Sequence, residues 1–244
     1  MHVSHQSHTA QPTTSPTAVP TASSTAQAYM PTPSVTPQKV VIFGATGGVG
    51  RELVKQALEQ RHTVTAFVRD PVKVTMNHTN LKLAQGDVLD ATAVERAVTG
   101  QDSVFCVLGA GMKGTVRAEG TRHIVQAMEK TGVRRLICQS TLGVGDSRNN
   151  LNAYWKYVMF GMLLRRAYAD HVAQEKIVRQ SQLEWTIIRP AAFTDGEHTG
   201  QYQHGFASSD KSISLTIARA DVADFLLKQL ADTRYLYQTP GVSY

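Results

Sequence analysis

Cysteine is scarce in this chain: 244 residues hold two, Cys106 and Cys138. No Cys-x-x-Cys or Cys/His spacing occurs, which argues against a zinc site or a dithiol redox centre, and no metal is expected. Both cysteines fall in apolar runs read as neighbouring buried strands, so they are expected to be packed thiols in a reducing compartment. Long apolar runs are missing too. The longest, Val158 to Leu164, is too short to span a bilayer and is followed by Arg165-Arg166. Lysine and arginine never form a block of five, although the net charge is +6 and the pI about 9.4. Dispersed positive charge suits small phosphorylated or carboxylate-bearing molecules better than a nucleic-acid tract. A small-molecule partner, no nucleic acid, no membrane, a monomer and a cytoplasmic location are the expectations.

Acidic residues are absent from the first 38 positions, which are dominated by Thr, Ser, Pro, Ala and Gln. That stretch has no apolar periodicity and cannot offset its own ordering entropy, so residues 1–38 are expected to be a disordered tail before a single domain over 39–244. His2, His5 and His8 read as part of a loose polar tail rather than a metal tract. The Ser/Thr-rich tail resembles a transit peptide in composition but contains no arginine. At 42% hydrophobic and 18% charged residues, the chain has ample material for a core.

From Lys39 onward a strand, turn and helix pattern repeats. Val40–Phe43 reads as a buried strand, and Val49, Leu53, Val54, Ala57 and Leu58 then recur at helical spacing. Strands follow at Thr63–Val68, from Leu81 to near Asp87, at Ser103–Leu108, Leu136–Gln139 and Trp185–Arg189. Between them come a helix capped by Asp90, a helix carrying Ile124, Val125 and Met128 and stopped by Gly132, and a mostly helical stretch from Asn152 to Gln180 with a break near Ala167. Asp221 to Leu230 is the last long helix expected. Continuous apolar strands alternating with helices predict an α/β fold: a Rossmann-type, doubly wound parallel sheet covered on both faces.

The turn after the first strand is Gly44-Ala45-Thr46-Gly47-Gly48-Val49-Gly50. Gly44 permits a tight turn, Gly47 lets backbone approach a pyrophosphate, and Gly50 lets the helix pack close to the sheet. The free N–H groups of the helix start, including those of Gly48 and Val49, face the phosphates beside Thr46. This placement predicts a dinucleotide site. Past the second strand, Arg69 is positioned to clamp a 2′-phosphate, favouring NADPH, while Asp70 could itself face a ribose hydroxyl. Asp87 and Val88 are expected at the adenine, although Asp87 could merely cap its loop. Leu108 and Gly109 are expected against the cofactor ribose. Further cofactor contacts are expected at Ser140 and, past the sixth strand, at Pro190, Ala191 and Phe193.

Phe43-Gly44-Ala45-Thr46-Gly47, Val68-Arg69-Asp70, Gly86-Asp87-Val88-Leu89 and Gly100-Gln101-Asp102 follow one another at the spacing of atypical short-chain dehydrogenases. Glu119-Gly120-Thr121, Gln139-Ser140 and Trp185-Thr186-Ile187-Ile188-Arg189-Pro190 continue the series. From about Lys39 to Tyr244 the chain most resembles the biliverdin-IXβ reductase and flavin reductase group, narrowed by Thr199-Gly200-Gln201-Tyr202 and the last tyrosine. The resemblance implies NADPH-dependent reduction of flavins or linear tetrapyrroles. It departs in the substrate region. Leu142-Gly143-Val144-Gly145 replaces bulkier residues, and Ala192 stands where the animal members carry histidine. Non-catalytic NADP-sensing regulators of the NmrA-like type and assembly factors with a structural nucleotide remain open alternatives.

Many short-chain dehydrogenases protonate a ketone through a Tyr-x-x-x-Lys pair. Here Tyr154, Tyr157 and Tyr168 are followed four residues later by Val158, Gly161 and Val172, so the pair is absent, and His171 stands where the lysine would be. Reduction of simple ketones is therefore not expected. A flavin or tetrapyrrole delocalises the incoming charge, and orientation against the cofactor suffices. Ser140, at the end of the fifth strand, is the candidate catalytic residue, either orienting a carboxamide or substrate or merely closing its turn. Tyr154 to Phe160 is expected to be an amphipathic helix packed on the domain, the other option being a lid.

Overall fold

The computed structural model describes residues 36–109 and 115–244. The expected tail therefore lies outside the described residues except for Thr36–Gln38. Gln38 is already part of the domain. Its N–H donates to His62 Nδ1 (3.0 Å), its carbonyl accepts from Thr63 N (2.9 Å) and its Oε1 accepts from Ser103 Oγ (2.9 Å), one residue earlier than the expected boundary.

Short β-branched and aromatic runs form β1 (Lys39–Phe43), β2 (Thr63–Val68), β3 (Leu81–Gln85), β4 (Ser103–Cys106), β5 (Arg135–Gln139) and β6 (Glu184–Pro190). Among the described residues they join β10 (Gly241–Ser243) and β8 (Gln203–His204) in one eight-stranded sheet of order β3-β2-β1-β4-β5-β6-β10-β8. All pairings are parallel except β10 with β8. Strand β7 (Ala192–Thr194) pairs with β9 (Thr216–Ala218) in a separate ribbon.

Successive side chains on β1 serve opposite faces. Val40 and Ile42 enter a core with α1 (Gly48–Glu59) and α5 (Arg219–Lys228), whereas Val41 and Phe43 enter one with α2 (Ala91–Val98) and α3 (Val116–Thr131). Helix α4 (Arg165–Gln180) packs beside α3. Asp90 caps α2 as expected, accepting from Thr92 N and Ala93 N, and Gly132 closes α3 with φ of +79°. The two cysteines lie in register on β4 and β5, fully buried.

The order reverses between β1 and β4, so a crevice opens beyond their carboxyl ends. That is where open α/β sheets hold ligands. No helix among the described residues is long and apolar enough to cross a membrane.

Candidate functional site: a dinucleotide cleft

The turn joining β1 to α1 begins with Gly44 at φ of +92°, where an added Cβ would lie 2.4 Å from the Val107 carbonyl oxygen. Gly47 N–H donates to Gly44 O at 2.9 Å, tightening the turn. Gly50 sits so close to the start of the turn that a Cβ would be 2.1 Å from Gly44 O. Helix α1 then starts at Gly48 with no side-chain cap and no acidic residue in its first turn. An uncapped, electropositive helix end behind a cradle that any side chain would fill fits a diphosphate.

A cleft of about 220 Å³ opens against this turn. Gly44, Thr46, Gly47, Arg69, Asp87, Val88, Leu108 and Gly109 line it. Eight of the residues named from sequence are thus brought together. Phe67, Leu89 and Val116 also line the cleft and were missed, because they read as ordinary strand, loop and helix positions. Gly48, Val49 and Gly50 belong to α1 behind the turn, with Val49 and Gly50 buried.

Asp70 is engaged locally. Its Oδ1 accepts from Val72 N (3.2 Å), capping the short 3-10 turn Pro71–Lys73, and Oδ2 pairs with Lys73 Nζ at 3.9 Å. Arg69, not Asp70, faces the cleft. Arg51 and Lys73 line a second hollow with Ala45 and Ala66. Asp87 does cap its loop, accepting from Leu89 N at 2.9 Å through one oxygen, while lining the cleft.

The expected chemistry residues lie further along the sheet edge. Ser140 follows β5, its N–H donating to Ile188 O (2.7 Å), and its Oγ is buried with no hydrogen-bond partner among the described residues. Thr141, Leu142, Pro190 and Ala191 line a small apolar crevice with Trp155 and Phe160. Phe193 is not in either hollow. It lies on the β7 ribbon, with Arg219 over its ring at 5.4 Å.

His171 is buried in α4. Burial, and then the neighbouring Arg117 cation, pushes its pKa down to about 3, so its ring is neutral near pH 7. The adjacent Asp170 is spent on α3, accepting from Arg117 N (3.2 Å) and Ala118 N (3.0 Å) at that helix start. Tyr168 donates its hydroxyl to Gly143 O at 3.2 Å.

The segment Tyr154–Leu163 departs from expectation. It is a π-helix, ended by Leu164 N donating to Met159 O, so the break falls three residues before Ala167. Phe160 is buried and Trp155 packs half-buried beside it on the core, whereas Tyr154, Tyr157, Met162 and Leu163 are exposed, so only part of the segment packs on the domain. Arg165 and Arg166 are exposed, as a solvated face would be. The Thr199–Tyr202 stretch is tied down by carboxylates of α5. Asp221 accepts from Thr199 N, Gly200 N and the Tyr244 hydroxyl, and Asp224 accepts from the Tyr202 hydroxyl.

A doubly wound parallel sheet with an uncapped helix over a glycine cradle at its switch point defines a Rossmann-type nucleotide-binding protein. The chain belongs to the NAD(P)H-binding family, whose model matches residues 44–233. It is 32% identical over 208 residues to UPF0659 protein YMR090W of Saccharomyces cerevisiae, a match covering 80% of this chain and 88% of that one. Among solved structures, it superposes on ChuY, described as an anaerobillin reductase from Escherichia coli O157:H7, with a TM-score of 0.70 and 26% identity over 85% of this chain and 97% of that one. It also shares its fold with a short-chain dehydrogenase/reductase from Veillonella parvula solved with NADP (TM-score 0.73, 21% identity, 85% of this chain and 95% of that one).

Proposed function

We propose that the protein is an NADPH-dependent reductase of a planar, conjugated acceptor, a flavin or a linear tetrapyrrole. The observation that carries this reading is the absence of a usable acid beside the crevice at β5 and β6, among the described residues. Tyr168 is bonded to backbone, Tyr154 and Tyr157 are exposed on the π-helix, and His171 is buried and neutral. Bound cofactor would supply a hydride; the chain's part is to bind, orient and exclude water. Thr46, Gly47 and the start of α1 would hold the diphosphate, and Val88 and Leu108 would flank the adenosine half. The apolar crevice formed by Leu142, Trp155 and Phe160 is only about 30 Å³, so it would meet one edge of a flat acceptor lying over it rather than enclose the ring system. An acceptor that delocalises charge takes its proton from solvent, so the missing donor is no obstacle. The likeness to ChuY, an anaerobillin reductase, supports a tetrapyrrole over a ketone.

Purified protein is expected to oxidise NADPH with at least one of FMN, FAD, biliverdins or quinones. If none of these is reduced while NADPH still binds, the reductase reading fails and a sensor or assembly role replaces it. Ser140→Ala is expected to slow single-turnover transfer to FMN by less than tenfold, because one neutral hydrogen bond is worth about 1 kcal/mol. Complete loss of transfer with NADPH still bound would give Ser140 an essential chemical role instead.

The cofactor preference rests on Arg69, with Asp70 turned away from the cleft. A charge-assisted contact to the 2′-phosphate contributes roughly 1.5–3 kcal/mol. Arg69→Ala is accordingly expected to narrow the NADPH-over-NADH affinity ratio by about tenfold or more, leaving NADH binding nearly as it was. Equal weakening of both dinucleotides in a titration would remove Arg69 from the 2′-phosphate.

A further inference from the structure

A second arginine is brought to the start of α1 by a distant part of the chain, just outside the residues that line the cleft. Arg219 is the first residue of α5, and its side chain lies directly over Gly48. A Cβ on Gly48 would meet Arg219 Cδ at 2.5 Å and Nε at 2.6 Å. A side chain at position 48 would therefore push the Arg219 head group from this place. The guanidinium is 5.4 Å above the Phe193 ring and its Nη1 donates to Asp195 Oδ1 at 2.5 Å. Asp195 is 91% exposed, so this ion pair is open to water and contributes little by itself.

The support beneath Arg219 is firm. In the β7 and β9 ribbon, Phe193 is in register with Ile217 and Thr194 with Ala218, which places Phe193, Asp195 and Arg219 at one end of the ribbon. Ala218 N also donates to the Tyr244 hydroxyl (3.1 Å), and that hydroxyl donates to buried Asp221 (2.6 Å). A cation carried on a fixed ribbon, aimed at the uncapped first turn of α1, adds charge where the helix end already favours an anion.

We infer that Arg219 is a cofactor-binding residue that engages the diphosphate at the Gly48 end of the turn, exchanging its exposed Asp195 partner for the diphosphate oxygens. This rests on the NAD(P)H reading of the cleft. It assigns two cations to two different parts of one ligand. Arg69 discriminates between NADPH and NADH, whereas Arg219 holds the group that both share.

The test is a fluorescence titration of three probes: NADPH, NADH and adenosine 2′-monophosphate, which lacks the diphosphate. With Arg219→Gln, NADPH and NADH are expected to weaken by the same factor, about tenfold. Adenosine 2′-monophosphate should bind as it does to wild type, and the NADPH-over-NADH ratio should stay unchanged. Arg219→Lys keeps the aliphatic stem over Gly48 and should recover part of the affinity, which also serves if the glutamine variant does not fold. Unchanged dinucleotide affinity, or equal weakening of adenosine 2′-monophosphate, would overturn the role of Arg219. Wild type that binds neither dinucleotide would instead overturn the reading of the cleft itself.

Discussion

Gly50→Ala is expected to weaken NADPH binding by at least a hundredfold and to lower the melting temperature by several degrees. The added methyl would lie 2.1 Å from Gly44 O, 2.8 Å from Gly44 C and 2.9 Å from Ala45 Cα. All three atoms are backbone, so no rotamer change relieves the clash. Helix α1 must back away from the turn that aims its N–H groups, and the preorganised anion site is lost with it. The same retreat disturbs the burial of Val49, Leu53, Val54 and Ala57 against the sheet. Gly109→Ala makes a sharp comparison for stability, since no atom of the described residues lies within 4 Å of the place its methyl would take. Thermal melts of both variants, with and without NADPH, report the two effects separately. Gly50→Ala protein that binds NADPH within threefold of wild type would mean that this turn is not the phosphate cradle.

The glycine turn was legible in the sequence because its function is local: seven consecutive residues carry the whole device. The same holds for β1 to β6 and for the Asp90 cap, where apolar runs and a capping residue lie next to the element they specify. The strands β7 to β10 carry two or three residues each, too few to show a period of two, and they are placed by distant partners. Strand β10, for example, exists because Gly241 and Val242 align with Arg189 and Pro190, far earlier in the chain. The π-helix escaped for a different reason. Its hydrogen bonds skip one residue more than the 3.6-residue pattern assumes, so its apolar side chains do not gather into a single stripe. Position past the second strand favoured Arg69 over Asp70, but the cap that occupies Asp70 at Val72 N had no sequence signal of its own. Arg219 left no local signal at all: nothing near it in sequence hints that it reaches Gly48.

Arg189 shows how far a residue quoted only as part of a sequence pattern can be from its physical task. It is 1% exposed, and its Nε and Nη2 donate to the two oxygens of Glu175 at 2.9 and 2.8 Å. Its Nη1 donates to Asp146 Oδ1 at 2.6 Å. One guanidinium therefore fastens β6 to α4 and to the 3-10 turn Gly145–Asn150, which follows Ser140 and Thr141. Glu175 is itself nearly fully buried, so it depends on this partner. Arg189→Met is expected to destabilise the protein by about 3–5 kcal/mol, because a lone buried carboxylate remains after the cation is removed. For a domain of this size that corresponds to a fall in melting temperature on the order of 10 °C. The double variant Arg189→Met/Glu175→Leu should regain most of the loss, since well-packed apolar groups replace a buried ion pair at little net cost. Asp146 needs no replacement, being exposed enough to return to water. Urea denaturation of wild type, single and double variants decides the matter. A single variant within about 1 kcal/mol of wild type would show that Glu175 finds another partner. Arg179, already 3.4 Å away, is the nearest candidate. If the double variant is no more stable than the single one, the guanidinium acts chiefly by packing its stem and planar head between α4 and the turn, and not by neutralising Glu175.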